Sequence, residues 1–175
     1  MKSIMDMGAM RLDAQMIPVG EQLALPWDLR EWFAPAVLRE WIAEEVDSLD
    51  WNNPQLVEHL RGRPGFQPKA LFGLMVYAYS TAAFESEEIH RRFFAEAEYR
   101  AFGGPNARWD ARTFTRFRRE NRGLLKWALV QIFKRAIRAK RGDFLLPAGV
   151  KHRLVGAAVT RLDLARQMDR GHDGL

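Results

Sequence analysis

Lys69-Ala70-Leu71-Phe72-Gly73-Leu74-Met75-Val76-Tyr77-Ala78-Tyr79-Ser80-Thr81-Ala82-Ala83-Phe84 decides the fold. Pro68 stands just before it, at the first helical position, where proline's missing N–H has no intrahelical partner to lose. The periodicity predicts a helix from Lys69 to about Phe84 with almost no polar face, and such a helix must be enclosed on all sides. The apolar run from Ala70 to Ala83 falls short of the roughly 18 residues a membrane span requires. It therefore reads as the buried centre of a helical bundle.

Upstream, Arg61-Gly62-Arg63-Pro64-Gly65 is a loop, and Asn52-Asn53-Pro54 opens a short segment through Leu60. Before that, Val37, Leu38, Trp41, Ile42 and Val46 recur at helical spacing opposite Glu40, Glu44 and Glu45, which predicts an amphipathic helix. Trp27, Trp32, Trp41 and Trp51 sit among apolar positions in acidic surroundings, so they read as core residues rather than a stacking platform. Residues 1–22 lack sustained periodicity and read as a mobile arm.

Downstream, Ser86 offers an N-cap, and Glu87 and Glu88 stand four residues before Arg91 and Arg92, a favourable helical spacing. Ile89, Phe93, Phe94 and Ala97 form the expected buried side, and Gly103-Gly104-Pro105-Asn106 breaks the chain. Asp110 is an expected N-cap for a helix from Ala111 to about Asn121. On that helix Ala111, Phe114, Phe117 and Asn121 share one side, and Arg112, Thr115, Arg116 and Arg119 the opposite one. A longer helix follows Gly123, burying Leu125, Ala128, Leu129, Ile132, Phe133 and Ala136 and turning Lys134, Arg138 and Arg141 outward until about Gly142. Phe144 to Gly149 reads as a linker. Leu154, Ala158, Leu162 and Ala165 are spaced for one last amphipathic helix, with Asp169 to Leu175 frayed. The sum is an all-α multi-helix bundle.

Charge is unevenly spread. Residues 108–142 hold twelve Lys and Arg against Asp110 and Glu120, whereas the whole chain is only +5; residues 1–60 are net acidic. Such asymmetry is the footprint of a polyanion partner, most often nucleic acid. A short helix with an apolar side and an Arg/Thr side suits a helix-turn-helix-like module in the major groove, where arginine bonds guanine O6 and N7. The candidate DNA contacts are Arg112, Thr113, Thr115, Arg116, Arg118, Arg119 and Arg122, with Lys134, Arg138 and Arg141 aimed at phosphates, which give affinity and register. The segment between Tyr99 and Asp110 is longer than the tight turn of the standard motif, so the module is a looser variant.

The chain also resembles the N-terminal domain of bacterial insertion-sequence transposases of the DDE type. The resemblance rests on Gly65 to Ser80 against an apolar helix containing "LLLYGY", on Ser86-Glu87-Glu88-Ile89 against "SSRxIE", and on Phe102-Gly103-Gly104 against a glycine break. Its most specific part is Asp110-Ala111-Arg112-Thr113-Phe114-Thr115-Arg116-Phe117-Arg118-Arg119 against "DHSTIxRFRR"; Val46-Asp47-Ser48-Leu49-Asp50 is similar to "vDxLD". It covers roughly residues 23–141. Phe84-Glu85, Glu87 and Ala111-Arg112 depart from the pattern, and the last departure adds an arginine. The resemblance implies an all-α domain that helps bind the ends of a mobile element and supports assembly of the transposase. The family's chemistry resides in a following RNase H-like domain whose carboxylates hold divalent metals. The residues after Gly142 contain no glutamate and are too few for that domain, and Asp173-Gly174 follows a polar run rather than a strand.

The layout expected is therefore an arm at 1–22, a DNA-binding domain at 23–142, and a linker and tail at 143–175. The function expected is double-stranded DNA binding by a transposase-derived protein without its own catalytic domain. The alternatives are an interaction or inhibitor module pairing with an intact transposase or with itself, and a truncated remnant without a selected role. No enzyme activity, cofactor or metal is expected: His59, His90, His152 and His172 show no ligand spacing, and no phosphate-binding glycine loop or nucleophile elbow occurs. Cysteine is absent, no apolar signal or membrane segment stands out, and a cytoplasmic location is expected.

Overall fold

The computed structural model describes residues 24–54, 67–104, 107–142 and 149–173. The expected N-terminal arm, most of the 52–60 segment, the 61–65 loop and all but Gly149 of the 144–149 linker lie outside them. The described residues form α1 (Pro35–Asp47), α2 (Pro68–Ser80), α3 (Ser86–Ala95), α4 (Ala97–Gly103), α5 (Ala111–Glu120), α6 (Arg122–Arg141) and α7 (Val150–Asp173), preceded by a 3-10 turn at Leu29–Glu31. No strand occurs among them. The fold is all-α.

The α2 helix is the centre, with every residue from Leu71 to Ser80 buried. It packs against α1, α4 and α6, as a helix apolar on all sides must. Phe72 meets Phe117 of α5 edge-on at 6.2 Å, and Tyr77 meets Tyr99 of α4 at 5.1 Å. Trp27 is buried against Phe84, while Trp32, Trp41 and Trp51 are partly buried against the core. Acidic α1 is tied to basic α6 by Arg135, which pairs with Glu44 and with Glu45 at 3.0 Å.

Three boundaries differ from expectation. The α2 helix stops at Ser80 rather than Phe84, because Ala82 takes a left-handed conformation (φ 63°) and the Ala83 N–H returns to the Ala78 carbonyl at 2.9 Å. That 6→1 bond is the Schellman stop, here with alanine where glycine is usual. Ser86 is the first helical residue of α3 and Glu85 its cap. The single helix expected to follow the Ser86 cap and end near Tyr99 to Phe102 breaks at Glu96, whose extended backbone (φ −111°, ψ 126°) redirects α4. The break leaves Phe94 66% exposed and Ala97 exposed, and it buries Tyr99, whose hydroxyl lies 2.7 Å from that of Thr81.

The α7 helix is longer and better anchored than expected. It packs along α6 and touches α5, and Leu154, Ala158, Leu162 and Ala165 are all buried. Arg161, with no exposure at all, donates to the carbonyls of Trp27 at 2.6 Å and Pro26 at 2.8 Å and to that of Tyr79. Its guanidinium also lies 5.0 Å from the Trp27 ring centre and 4.9 Å from that of Phe133. Asp169, expected in a frayed end, is 8% exposed and bonded to two other helices.

Candidate nucleic-acid interface

The basic helix α5 starts at a complete capping box. Asp110 Oδ1 accepts from the Thr113 backbone N–H at 2.9 Å, and the Asp110 N–H faces the Thr113 hydroxyl at 3.4 Å. These bonds satisfy N–H groups that an uncapped helix start leaves open. The hydrogen bond from the Thr113 backbone holds the Asp110 carboxyl below the usual range, helped by the positive charge of Arg112. Thr113 is thus occupied in starting the helix.

Phe114 and Phe117 anchor α5 in the core, and Arg112, Arg116 and Arg119 are exposed on its far side. Spaced four and three residues apart, these arginines form one stripe. Two neighbours expected beside them lie elsewhere. Arg118 is 6% exposed and pairs with the Asp169 carboxylate of α7. The reason is rotational: position 118 falls between Phe114 and Phe117 and the exposed stripe, on the side that α7 covers. Thr115 is half-buried at the same contact, its hydroxyl 2.9 Å from Ser86 Oγ. Arg122, at the start of α6, is 2.8 Å from Asp163 of α7.

At the other end of α6, Arg138 is exposed, while Lys134 and Arg141 are half-buried. Burial, then the nearby charges of Lys151 and Arg138, lower the Lys134 ammonium pKa; Glu45 partly opposes this. Lys151 was not foreseen as part of this patch. Arg122 faces Asp163, and Lys134 lies twelve residues along α6 just as Lys151 lies twelve back along α7. The antiparallel pairing that a short connection implies thus carries the signal for Lys151. Twelve helical residues put this patch about 18 Å along α6 from Arg122. Lys140 sits over the Trp32 ring at 5.3 Å.

Among the described residues, no group of three or more His, Asp or Glu is arranged to hold a metal ion, and no helix is long and apolar enough to cross a membrane. His90 is half-buried and meets Phe94 edge-on at 4.9 Å; His152 is exposed.

A family model described as a transposase domain (DUF772) matches residues 29–120, slightly more than half of the chain. The chain belongs to this transposase-domain family. The matched span runs from the 3-10 turn through α5 and ends with the arginine stripe. No curated protein and no solved structure matches the chain significantly.

Proposed function

We propose that this transposase-family chain binds double-stranded DNA, with the ends of a mobile element as its target, through the exposed face of α5. The observation that carries the proposal is the stripe of Arg112, Arg116 and Arg119, free of the core and held on a capped helix. A helix of that diameter enters the major groove, where arginine reads guanine bidentately or pairs with phosphate. Lys134, Arg138 and Arg141, joined by Lys151, form a second cationic patch for the phosphate backbone. The proposed role is binding, and no chemical step is assigned to these residues.

The test is fluorescence anisotropy with a labelled duplex of about two helical turns, roughly 21 base pairs, between about 50 and 200 mM salt. The variant R112A/R116A/R119A is expected to lose at least tenfold in affinity. If all three contact phosphates, its salt slope falls by about 2.7, since each lost contact removes about 0.9. Wild-type affinity and slope in the folded triple variant would remove the proposal.

A second use, pairing with another transposase chain, is favoured by Phe94, which is 66% exposed on α3. Phe94→Ser abolishing self-association in analytical ultracentrifugation, with DNA binding intact, supports it; a monomer at all concentrations excludes self-association.

A further inference from the structure

We infer that Asp169 of α7 is the positioning residue for the DNA-facing side of α5; the inference rests on the DNA-binding proposal above. Asp169 Oδ1 accepts from the Ser86 backbone N–H at 2.8 Å, at the first turn of α3. Its Oδ2 accepts from Ser86 Oγ at 2.8 Å and from the Arg118 guanidinium, and lies 3.3 Å from Thr115 Oγ1. The Thr115 hydroxyl also lies 2.9 Å from Ser86 Oγ and 3.1 Å from the Ala111 carbonyl; with one proton, it donates to one of the three at a time. One enclosed carboxylate therefore joins α3, α5 and α7.

The contact fixes a rotation. Phe114 and Phe117 set which side of α5 faces the core, but apolar burial is non-directional and leaves play in the helix's exact angle and tilt. Hydrogen bonds lose strength steeply as they bend. Thr115 and Arg118, three residues apart, are two points along one side of α5 held by the same carboxylate. With both held, the outward angle of Arg112, Arg116 and Arg119 is fixed rather than only their side of the helix. The carboxylate is itself fixed by the first turn of α3, whose open N–H groups and helix dipole favour a negative charge. Asp169 lies beyond the span of the family match, so α7 supplies a part of the binding unit that the family motif does not contain.

The test measures duplex affinity and its salt slope in three proteins. R118M/D169L replaces the buried pair by apolar side chains of similar size, a change that folded proteins often accept. Ser86→Ala and Thr115→Val together remove only the hydroxyls and leave the ion pair. The control R112A/R116A/R119A tests the DNA proposal itself. Expected for R118M/D169L is cooperative unfolding with about a tenfold loss of affinity and a salt slope lower by about 0.9, one phosphate contact. Expected for the hydroxyl variant is about a threefold loss with melting lowered but still cooperative. A lower slope separates misplacement from partial unfolding, which reduces the bound fraction but leaves the slope of the folded molecules alone. Should R118M/D169L fail to fold, the hydroxyl variant decides. Wild-type affinity and slope in whichever variant decides would overturn the role of Asp169, provided the arginine control loses binding. A control that binds like wild type overturns the DNA proposal as well.

Discussion

The α2 and α7 helices are both buried along much of their length, yet by different means. The α2 helix is enclosed through uncharged, mostly apolar side chains on every side, Leu71 to Tyr79, with Ser80 and the hydroxyls of Tyr77 and Tyr79 as buried polar groups. The α7 helix buries Leu154, Ala158, Leu162 and Ala165 on one side and adds Arg161 and Asp169, two charged residues at 0% and 8% exposure. Apolar burial can be exchanged among many similar packings, whereas a buried charge is tolerated only where its partners stand in place. The centre of the bundle thus supplies bulk stability, and the last helix supplies orientation.

The sharpest contrast comes from truncating one residue of each kind. Arg161→Ala strips hydrogen-bond donors from the carbonyls of Pro26, Trp27 and Tyr79. With about 1–3 kcal/mol for each buried acceptor left unsatisfied, the expected loss is about 4 kcal/mol. Leu74→Ala, in the middle of α2, is expected to cost about 3 kcal/mol by cavity formation. Urea unfolding measures both. A loss at Arg161 below about 1 kcal/mol would mean that α7 docks by its apolar face alone.

Next in size is a comparison of two carboxylates at helix starts. Asp110 caps α5 at the surface from its own segment, while Asp169 reaches the start of α3 from a distant helix. Asp110→Ala is expected to cost about 1 kcal/mol. Because the folded carboxyl is held below its ordinary range, the cap's charge contribution is present above about pH 3.9 and is lost as pH falls through the lower folded value. The wild type and Asp110→Ala should therefore converge in stability on acidification and differ fully at neutral pH. Chemical unfolding across that range reads the convergence.

The smallest effect is expected at the end of α2. Ala82 is left-handed, a conformation that costs a non-glycine residue about 1 kcal/mol. Ala82→Gly should raise the melting temperature by about 2–4 °C. A fall would show that the alanine methyl makes a contact worth more than the strain.

These cases also mark where sequence reading succeeds. The α2 core, the Asp110 cap, the buried stripe of α6 and the apolar face of α7 depend on spacing within one segment, and all were legible. The stop at Ala82 was not, because alanine there carries no turn signal. The break at Glu96 was not, because neither glycine nor proline marks it, and the Tyr99 contact that accompanies it is with Tyr77, distant in sequence. For the candidate interface, the charge maximum pointed to α5, and the exposed arginines follow from helical spacing. Arg118 and Thr115 were misplaced because their partner, Asp169, is some fifty residues away. A family motif that ends near residue 120 contains no trace of it.

The most direct test of the central claim is a nitrogen–hydrogen NMR titration of the arginine Nε groups with the duplex. The expected result is movement of the Arg112, Arg116 and Arg119 signals, with those of Arg118 and Arg161 unmoved because both are enclosed. Signals from Arg112, Arg116 and Arg119 that stay fixed while the duplex binds would contradict the claim that the outer face of α5 is the DNA-binding surface.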